Sequence, residues 1–356
     1  MTKLYLNPVG LIYGATAGAA VADGLALPLA GGAIAFAAAE LIEGVAGSTK
    51  RRLLTAQQIV GSGDTDLGSL VARVTAPRPP FAGLSLDRPR LMGIVNVTPD
   101  SFSDGGLYDT TEGAIVHAAE LAEAGADIVD VGGESTRPGS DAVAEADELA
   151  RIVPVIKGLC GLRAVLSLDT RKSAVARAAA ETGASILNDV SALTHDAESL
   201  AVVAETGLSV VLMHAKGEPK TMQDNPAYDD VALEVFDYLE GRIAAALAVG
   251  IDRARIAADP GLGFGKTLAH NLALLGHTAL FHGLGVPLLI GASRKRFVGL
   301  GQGKDPRARE PGSFAAAIAA AGQGAQIFRV HDVAGTAQAL AVWRAAVGGR
   351  ESLVNP

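Results

Sequence analysis

Cysteine is almost missing from the 356-residue chain: Cys160 is the only one. A single thiol excludes an internal disulfide and a cysteine-built zinc cluster. In the setting "GLCGL" it is expected to be a small buried apolar residue. A basic surplus is missing as well. Lys and Arg number 30 against 38 Asp and Glu, a formal net charge of −8, which argues against a nucleic-acid partner. An anionic ligand must then be held by local cations. No uninterrupted apolar run reaches the roughly 20 residues a membrane helix needs. The Ala-, Gly- and Leu-rich stretch 9–47 comes nearest, but Asp23, Pro28, Glu40 and Glu43 break it, and Lys3 is a thin basic start for a signal peptide. A small packed N-terminal subdomain is expected there, with a membrane or targeting role as the alternative. Hydrophobic residues make up 49% and charged residues 19%, so the chain can bury a core and should not be disordered.

What is present is a beat. From residue 90 onward short apolar runs alternate with Ala-rich segments of helical period. The runs are "LMGIVNVT" (91–98), "DIVDVGG" (127–133), "AVLSLDT" (164–170), "SILNDVS" (185–191), "SVVLMHA" (209–215), "RIAADPG" (255–261), "PLLIGAS" (287–293) and "AQIFRVHD" (325–332). Eight βα units predict an α/β fold, a (β/α)8 TIM barrel over residues 86–350. A doubly wound open sheet is the alternative, but no G-x-G-x-x-G follows the first run. Residues 1–85 form an N-terminal extension, in which 61–83 read as a loop-rich linker.

Each run is apolar until its C-terminal end, where it carries Asn96, Glu134, Asp169, Asn188, His214, Asp259, Ser293, or Arg329 with His331. In a closed parallel barrel these ends share one mouth, where barrel active sites lie. Any one of them could simply cap the next helix; eight at the same relative position make that a poor account of the set. Asp169, Asn188 and Asp259 suit a flat heterocycle rich in N–H donors, because buried carboxylates need donors. Structural carboxylates bonded to backbone N–H are the alternative. "SRKRF" (293–297) and "RVHD" (329–332) place cations after strands seven and eight, where barrels often hold phosphate. A solvated basic face is the alternative for Arg294 and Arg296. Two polar, glycine-rich loops, with Asn96, Asp100 and Phe102 in one and Thr136, Arg137 and Pro138 in the other, read as lids over the mouth. The Asn96 oxygen is a plausible ligand for Mg2+ bound mainly by diphosphate and water.

In this order, "GIVNVTPDSFSDGG", "DVGGESTRPGS", "SLDTRK", "ILNDVSAL", "DPGLGFGKTLAHN", "GASRKRFVG" and "RVHDV" resemble the dihydropteroate synthase family. The resemblance implies a transferase of folate biosynthesis. It would join 4-aminobenzoate to 6-hydroxymethyl-7,8-dihydropterin diphosphate, giving 7,8-dihydropteroate and diphosphate. It implies that Asp169, Asn188, Asp259 and Lys295 hold the pterin, with Met213 and Phe264 lining its slot. Asn96 (through Mg2+), Thr136, Arg329 and His331 would meet the diphosphate. Phe102, Thr136, Arg137, Pro138 and Ser293 would form the 4-aminobenzoate pocket. The C–O bond would break largely before the amine attacks, with no covalent enzyme intermediate. Asn96→Ala or Arg329→Ala is expected to abolish most turnover in a folded protein. The resemblance also implies a cytoplasmic homodimer acting on small molecules. A pterin-binding methyltransferase barrel could share the Asp-Asn-Asp grip, but would not need the diphosphate and arylamine motifs. A silent, partner-binding relative would be expected to lose them.

Overall fold

The computed structural model describes residues 3–97, 110–135, 140, 142–218, 220–301 and 305–348. Before the barrel comes an antiparallel sheet with helices: β1 (Leu4–Tyr13), α1 (Gly14–Ala22), β2 (Leu27–Pro28), β3 (Ile34–Val45), β4 (Ser48–Thr55), α2 (Ala56–Val60) and α3 (Thr65–Thr75). β1 pairs with one edge of β3, from Leu4 opposite Glu43 to Tyr13 opposite Ile34. β2 and β4 share the other edge. Strand alternation gives the sheet two buried faces. Leu6 and Leu41 pack with Phe36, Leu67, Leu70 and Val74 in a core of their own. Tyr5 and Ile42 instead join the core of the barrel.

The segment expected to be a linker contains α3. Asp64 caps it, accepting the backbone N–H groups of Asp66 at 2.9 Å and Leu67 at 3.0 Å. Leu67, Leu70 and Val74 lie on one face of the helix and are buried. The glycines around the cap masked that periodicity. Cys160 also departs from expectation: it is exposed. It lies just past α5, in the turn that leaves the helix, outside the apolar stripe, and its thiol bonds the Thr182 carbonyl at 3.1 Å.

The barrel strands are β5 (Arg90–Asn96), β6 (Ile128–Gly132), β7 (Val165–Asp169), β8 (Ile186–Asp189), β9 (Ser209–Met213), β10 (Ile256–Asp259), β11 (Leu289–Ile290) and β12 (Ile327–Val330). They alternate with α4 (Thr111–Glu123), α5 (Glu145–Gly158), α6 (Ser173–Thr182), α7 (Ser199–Thr206), α8 (Val231–Ala248), α9 (Leu268–Gly276), α10 (Glu310–Ala321) and α11 (Val333–Gly348). The order is β10-β9-β8-β7-β6-β5-β12-β11, parallel throughout. An Ala258–Leu288 bridge closes the ring, with Ala258 N–H donating to the Pro287 carbonyl at 2.9 Å. This closure rules out the open-sheet alternative.

One end of the barrel is plugged. Phe81, bridged to Leu84, packs on Met92, Ile128, Ile186, Val211, Ala257, Leu289 and Ile327, residues near the strand starts. That leaves the strand C-termini as the end open to a ligand. The N-terminal sheet docks on α8 and on the 3-10 segment 278–284. Tyr5 Oη donates to Asp237 at 2.8 Å, and its ring meets Phe236 edge-on at 5.4 Å. Arg78, Arg73 and Arg253 donate to the carbonyls of His282, Gly283 and Leu284 at 3.0, 2.8 and 2.9 Å. Together they bond carbonyls at the end of that segment, Arg73 and Arg78 from the N-terminal part and Arg253 from the barrel. Among the described residues no helix is long and apolar enough to cross a membrane.

Candidate functional site

Register decides which tips meet. Asn96 lies beside Gly132, Gly132 beside Asp169, Asp169 beside Asn188, and Met213 beside Asp259. A pocket at this mouth is lined by Ile94, Asp169, Asn188, Val190, Met213, Asp259, Phe264, Gly291, Ser293, Lys295, Arg329 and His331. Nine of the residues named from sequence thus converge: Asp169, Asn188, Met213, Asp259, Phe264, Ser293, Lys295, Arg329 and His331. Asn96 ends β5, half-buried, next to Gly132 but outside this lining. Phe102, Thr136, Arg137 and Pro138 lie outside the described residues.

Arg329 is the electrostatic centre. Its Nη2 donates to Asp169 Oδ2 at 2.7 Å and its Nε to Asp130 Oδ2 at 2.6 Å. The other Asp169 oxygen, Oδ1, is buried and has no hydrogen-bond partner among the described residues. An orphaned acceptor costs on the order of 1–3 kcal/mol, so a ligand N–H placed there regains that amount. Burial pushes the Asp169 carboxyl up to about 7, opposed by the Arg329 charge and aided by Asp130. Burial likewise raises Asp259, against the pull of Lys295. The Gly261 N–H donates to Asp259 Oδ1 at 2.7 Å. Burial lowers the Lys295 ammonium to about 8, against the favourable field of Asp259. The Lys295 Nζ sits 4.7 Å from the Phe264 ring centre and donates to the Leu262 carbonyl. At the outer edge, His331 Nδ1 and Ser293 Oγ are 3.0 Å apart.

The loop after β10 is folded close against β9. Gly261 has φ +68°, and a Cβ there would lie 1.8 Å from the His214 carbonyl. At Gly291 a Cβ would enter the pocket, 3.8 Å from Asp259 Oδ2 and 3.7 Å from Lys295 Nζ. Buried Lys266 fastens the same loop, donating to the Gly261 and Phe264 carbonyls at 2.8 and 2.9 Å and meeting His214 Nδ1 at 2.9 Å. Burial holds His214 near 2, so the ring is neutral and structural, and it does not line the pocket. Glu134 is structural too: it pairs with Arg171 at 2.7 Å and with Lys172, which also holds buried Glu148. A neighbouring cavity of about 310 Å3 shares Val190 and Phe264 with the pocket but has no buried carboxylate in its lining. The buried carboxylates and the cations Lys295 and Arg329 line the smaller pocket.

Sequence reasoning missed Asp130. It sits in the middle of β6, fully buried, accepting Ser167 Oγ at 2.6 Å and Asn188 Nδ2 at 3.0 Å besides Arg329. In "DIVDVGG" it lies inside the apolar run, where only a polar residue breaking the period of a buried strand could have drawn notice.

Comparisons with known proteins agree with this geometry. Residues 92–331 match the family described as pterin binding enzyme. The dihydropteroate synthase of Escherichia coli K12 is 47% identical over 270 residues, 76% of this chain and 95% of that one. A Xanthomonas albilineans dihydropteroate synthase solved with 4-aminobenzoic acid matches with a TM-score of 0.70 and 51% identity, covering 76% of this chain and 98% of that one. The same enzyme in complex with 7,8-dihydropteroate gives a TM-score of 0.66 at 45% identity over 76% and 98%. With an eight-stranded barrel whose acidic and cationic strand tips share one mouth, this chain belongs to the pterin binding enzyme family, among the dihydropteroate synthases, transferases of folate synthesis.

Proposed function

We propose that the pocket binds 6-hydroxymethyl-7,8-dihydropterin diphosphate with its ring inward and its diphosphate toward Arg329 and His331. 4-Aminobenzoate would enter against Phe264 and Ser293. The observation that carries this reading is Asp169 Oδ1, buried and without a partner among the described residues, on a side chain that lines the pocket with Asn188 and Asp259. Those three side chains offer the acceptors a pterin edge needs for its ring N–H and amino groups. Met213 and Phe264 supply apolar contact for the ring, and the Lys295 ammonium lies over the Phe264 ring.

The amine is a weak nucleophile, so the site must help the diphosphate leave. Arg329 and His331 take up charge that grows on the departing oxygens. In this reading the Asp169 and Asp259 carboxylates of the lining favour positive charge on the pterin methylene. That same charge would hold Asp169 ionised despite its raised pKa. Among the described residues no three carboxylate, imidazole or thiolate groups could hold a metal on their own. Asn96 with diphosphate oxygens and water is a donor set suited to Mg2+, which when bound neutralises leaving-group charge. Thr136, Arg137, Pro138 and Phe102 complete the amine pocket in this reading.

A homodimer belongs to the same proposal. Leu268 and Leu272 on α9 and Val342 on α11 are 48%, 43% and 65% exposed, apolar side chains that a second copy would cover. The exposed thiol of Cys160 suits a reducing, cytoplasmic setting. Diphosphate release from the pterin diphosphate, measured with and without 4-aminobenzoate, tests the activity. Release that depends on both substrates and equals the dihydropteroate formed is expected. No release under any condition would refute it.

A further inference from the structure

We propose that Asp130 is a positioning residue that sets which way Asn188 and Arg329 face the ligand. It rests on the pterin reading above. Asp130 is fully buried and does not line the pocket, so it acts through its partners. It sits on β6, two strands from β8, which carries Asn188, and two strands from β12, which carries Arg329. Its Oδ1 accepts from Ser167 Oγ at 2.6 Å. Its Oδ2 accepts from both Asn188 Nδ2 at 3.0 Å and Arg329 Nε at 2.6 Å. One carboxylate thus ties two functional side chains together across the barrel interior.

The consequence is chemical as well as mechanical. An amide can present either its oxygen or its NH2, whereas a carboxylate only accepts. Asp130 therefore draws the Asn188 NH2 inward and leaves the Asn188 oxygen for the ligand. Beside it stands Asp169 Oδ1, without a partner among the described residues. The pocket then shows two neighbouring acceptors and selects a ring edge with two N–H donors. Arg329 is held the same way, because Asp130 and Asp169 together fix its guanidinium plane. An asparagine at 130 could donate to the Asn188 oxygen, letting the amide turn and show the wrong face.

The test compares wild type with Asp130→Asn and Ser167→Ala, each first shown to fold by thermal melting. Binding of 6-hydroxymethylpterin is read by calorimetry, and KM for each substrate by steady-state assay. D130N should bind the pterin at least tenfold more weakly and raise the KM for pterin diphosphate, while the KM for 4-aminobenzoate stays within about twofold. S167A, which frees only Oδ1, should weaken the pterin about threefold. A purely structural role would move both KM values together. Wild-type pterin affinity in folded D130N would overturn the proposal. If D130N does not fold, unchanged affinity in S167A would overturn it instead. Failure of the wild type to bind the pterin would sink the pterin reading itself, a separate outcome.

Discussion

At the residue scale, the mouth is a balance of acids and cations, most of them removed from water. In the proposed reading Asp169 binds the ligand N–H as the carboxylate, the stronger acceptor, which is lost as pH falls through its pKa of about 7. Lys295 must be charged, and with a pKa of about 8 it loses its proton as pH rises. The profile of kcat/KM for pterin diphosphate, which reports the free enzyme, should therefore be a bell with limbs near 7 and 8. A flat profile from pH 6 to 9 would show that neither group controls binding. Arg329 changes an expectation drawn from sequence, that its alanine variant stays folded and merely inactive. Arg329 neutralises Asp130 and Asp169, and removing one partner from such buried pairs costs about 3–5 kcal/mol. Arg329→Ala should lose activity and also melt on the order of 10 °C lower, whereas Arg329→Lys should recover much of the melting temperature but little turnover, because the fork is gone. Calorimetric melts and turnover on the same samples check both halves.

At the element scale, two pieces shape the mouth, one from the far end of the barrel and one from its rim. The Phe81 plug fills the far end of the barrel, and Phe81→Ala should cost about 3–5 kcal/mol of stability by leaving a cavity. Its KM values should stay close to wild type, since the strand tips lie at the opposite end. The loop after β10 behaves differently. Gly261→Ala would force a Cβ into the His214 carbonyl, so the loop carrying Phe264 must shift and the KM for the pterin substrate should rise at least tenfold. An unchanged KM would mean the loop does not shape the pocket. The elements differed in how plainly the sequence displayed them. Barrel strands showed because each apolar run stops at a polar tip, as at Asp169 and Asp259. α3 did not, because Gly61, Gly63 and Gly68 surround its Asp64 cap and make eleven helical residues look like a linker. Asp130 stayed hidden for the opposite reason: it is polar but sits inside a run, and its three partners come from strands distant in sequence.

At the scale of the whole molecule, the N-terminal sheet is part of the packed body, because Tyr5 and Ile42 enter the barrel's core and Arg73 and Arg78 clasp the carbonyls of Gly283 and His282. Its composition gave no sign of this docking, since the partners on α8 and on the 278–284 segment lie more than 200 positions away, as in the Tyr5–Asp237 bond. The barrel and its mouth were legible by contrast, because a repeated βα unit brings residues together by topology alone. On the opposite question of assembly, the proposed dimer predicts that sedimentation velocity gives a dimer for the wild type and a monomer for Leu272→Glu combined with Val342→Glu; a monomeric wild type would refute the dimer, and a dimeric variant would place the interface elsewhere. In the proposed reading a ligand ring supplies the N–H that Asp169 Oδ1 lacks among the described residues. Calorimetric titration of 6-hydroxymethylpterin into the wild type and into Asp169→Asn tests this most directly. Tight binding by the wild type with at least a tenfold loss in the variant is the predicted result, and equal affinity in the two proteins would contradict it.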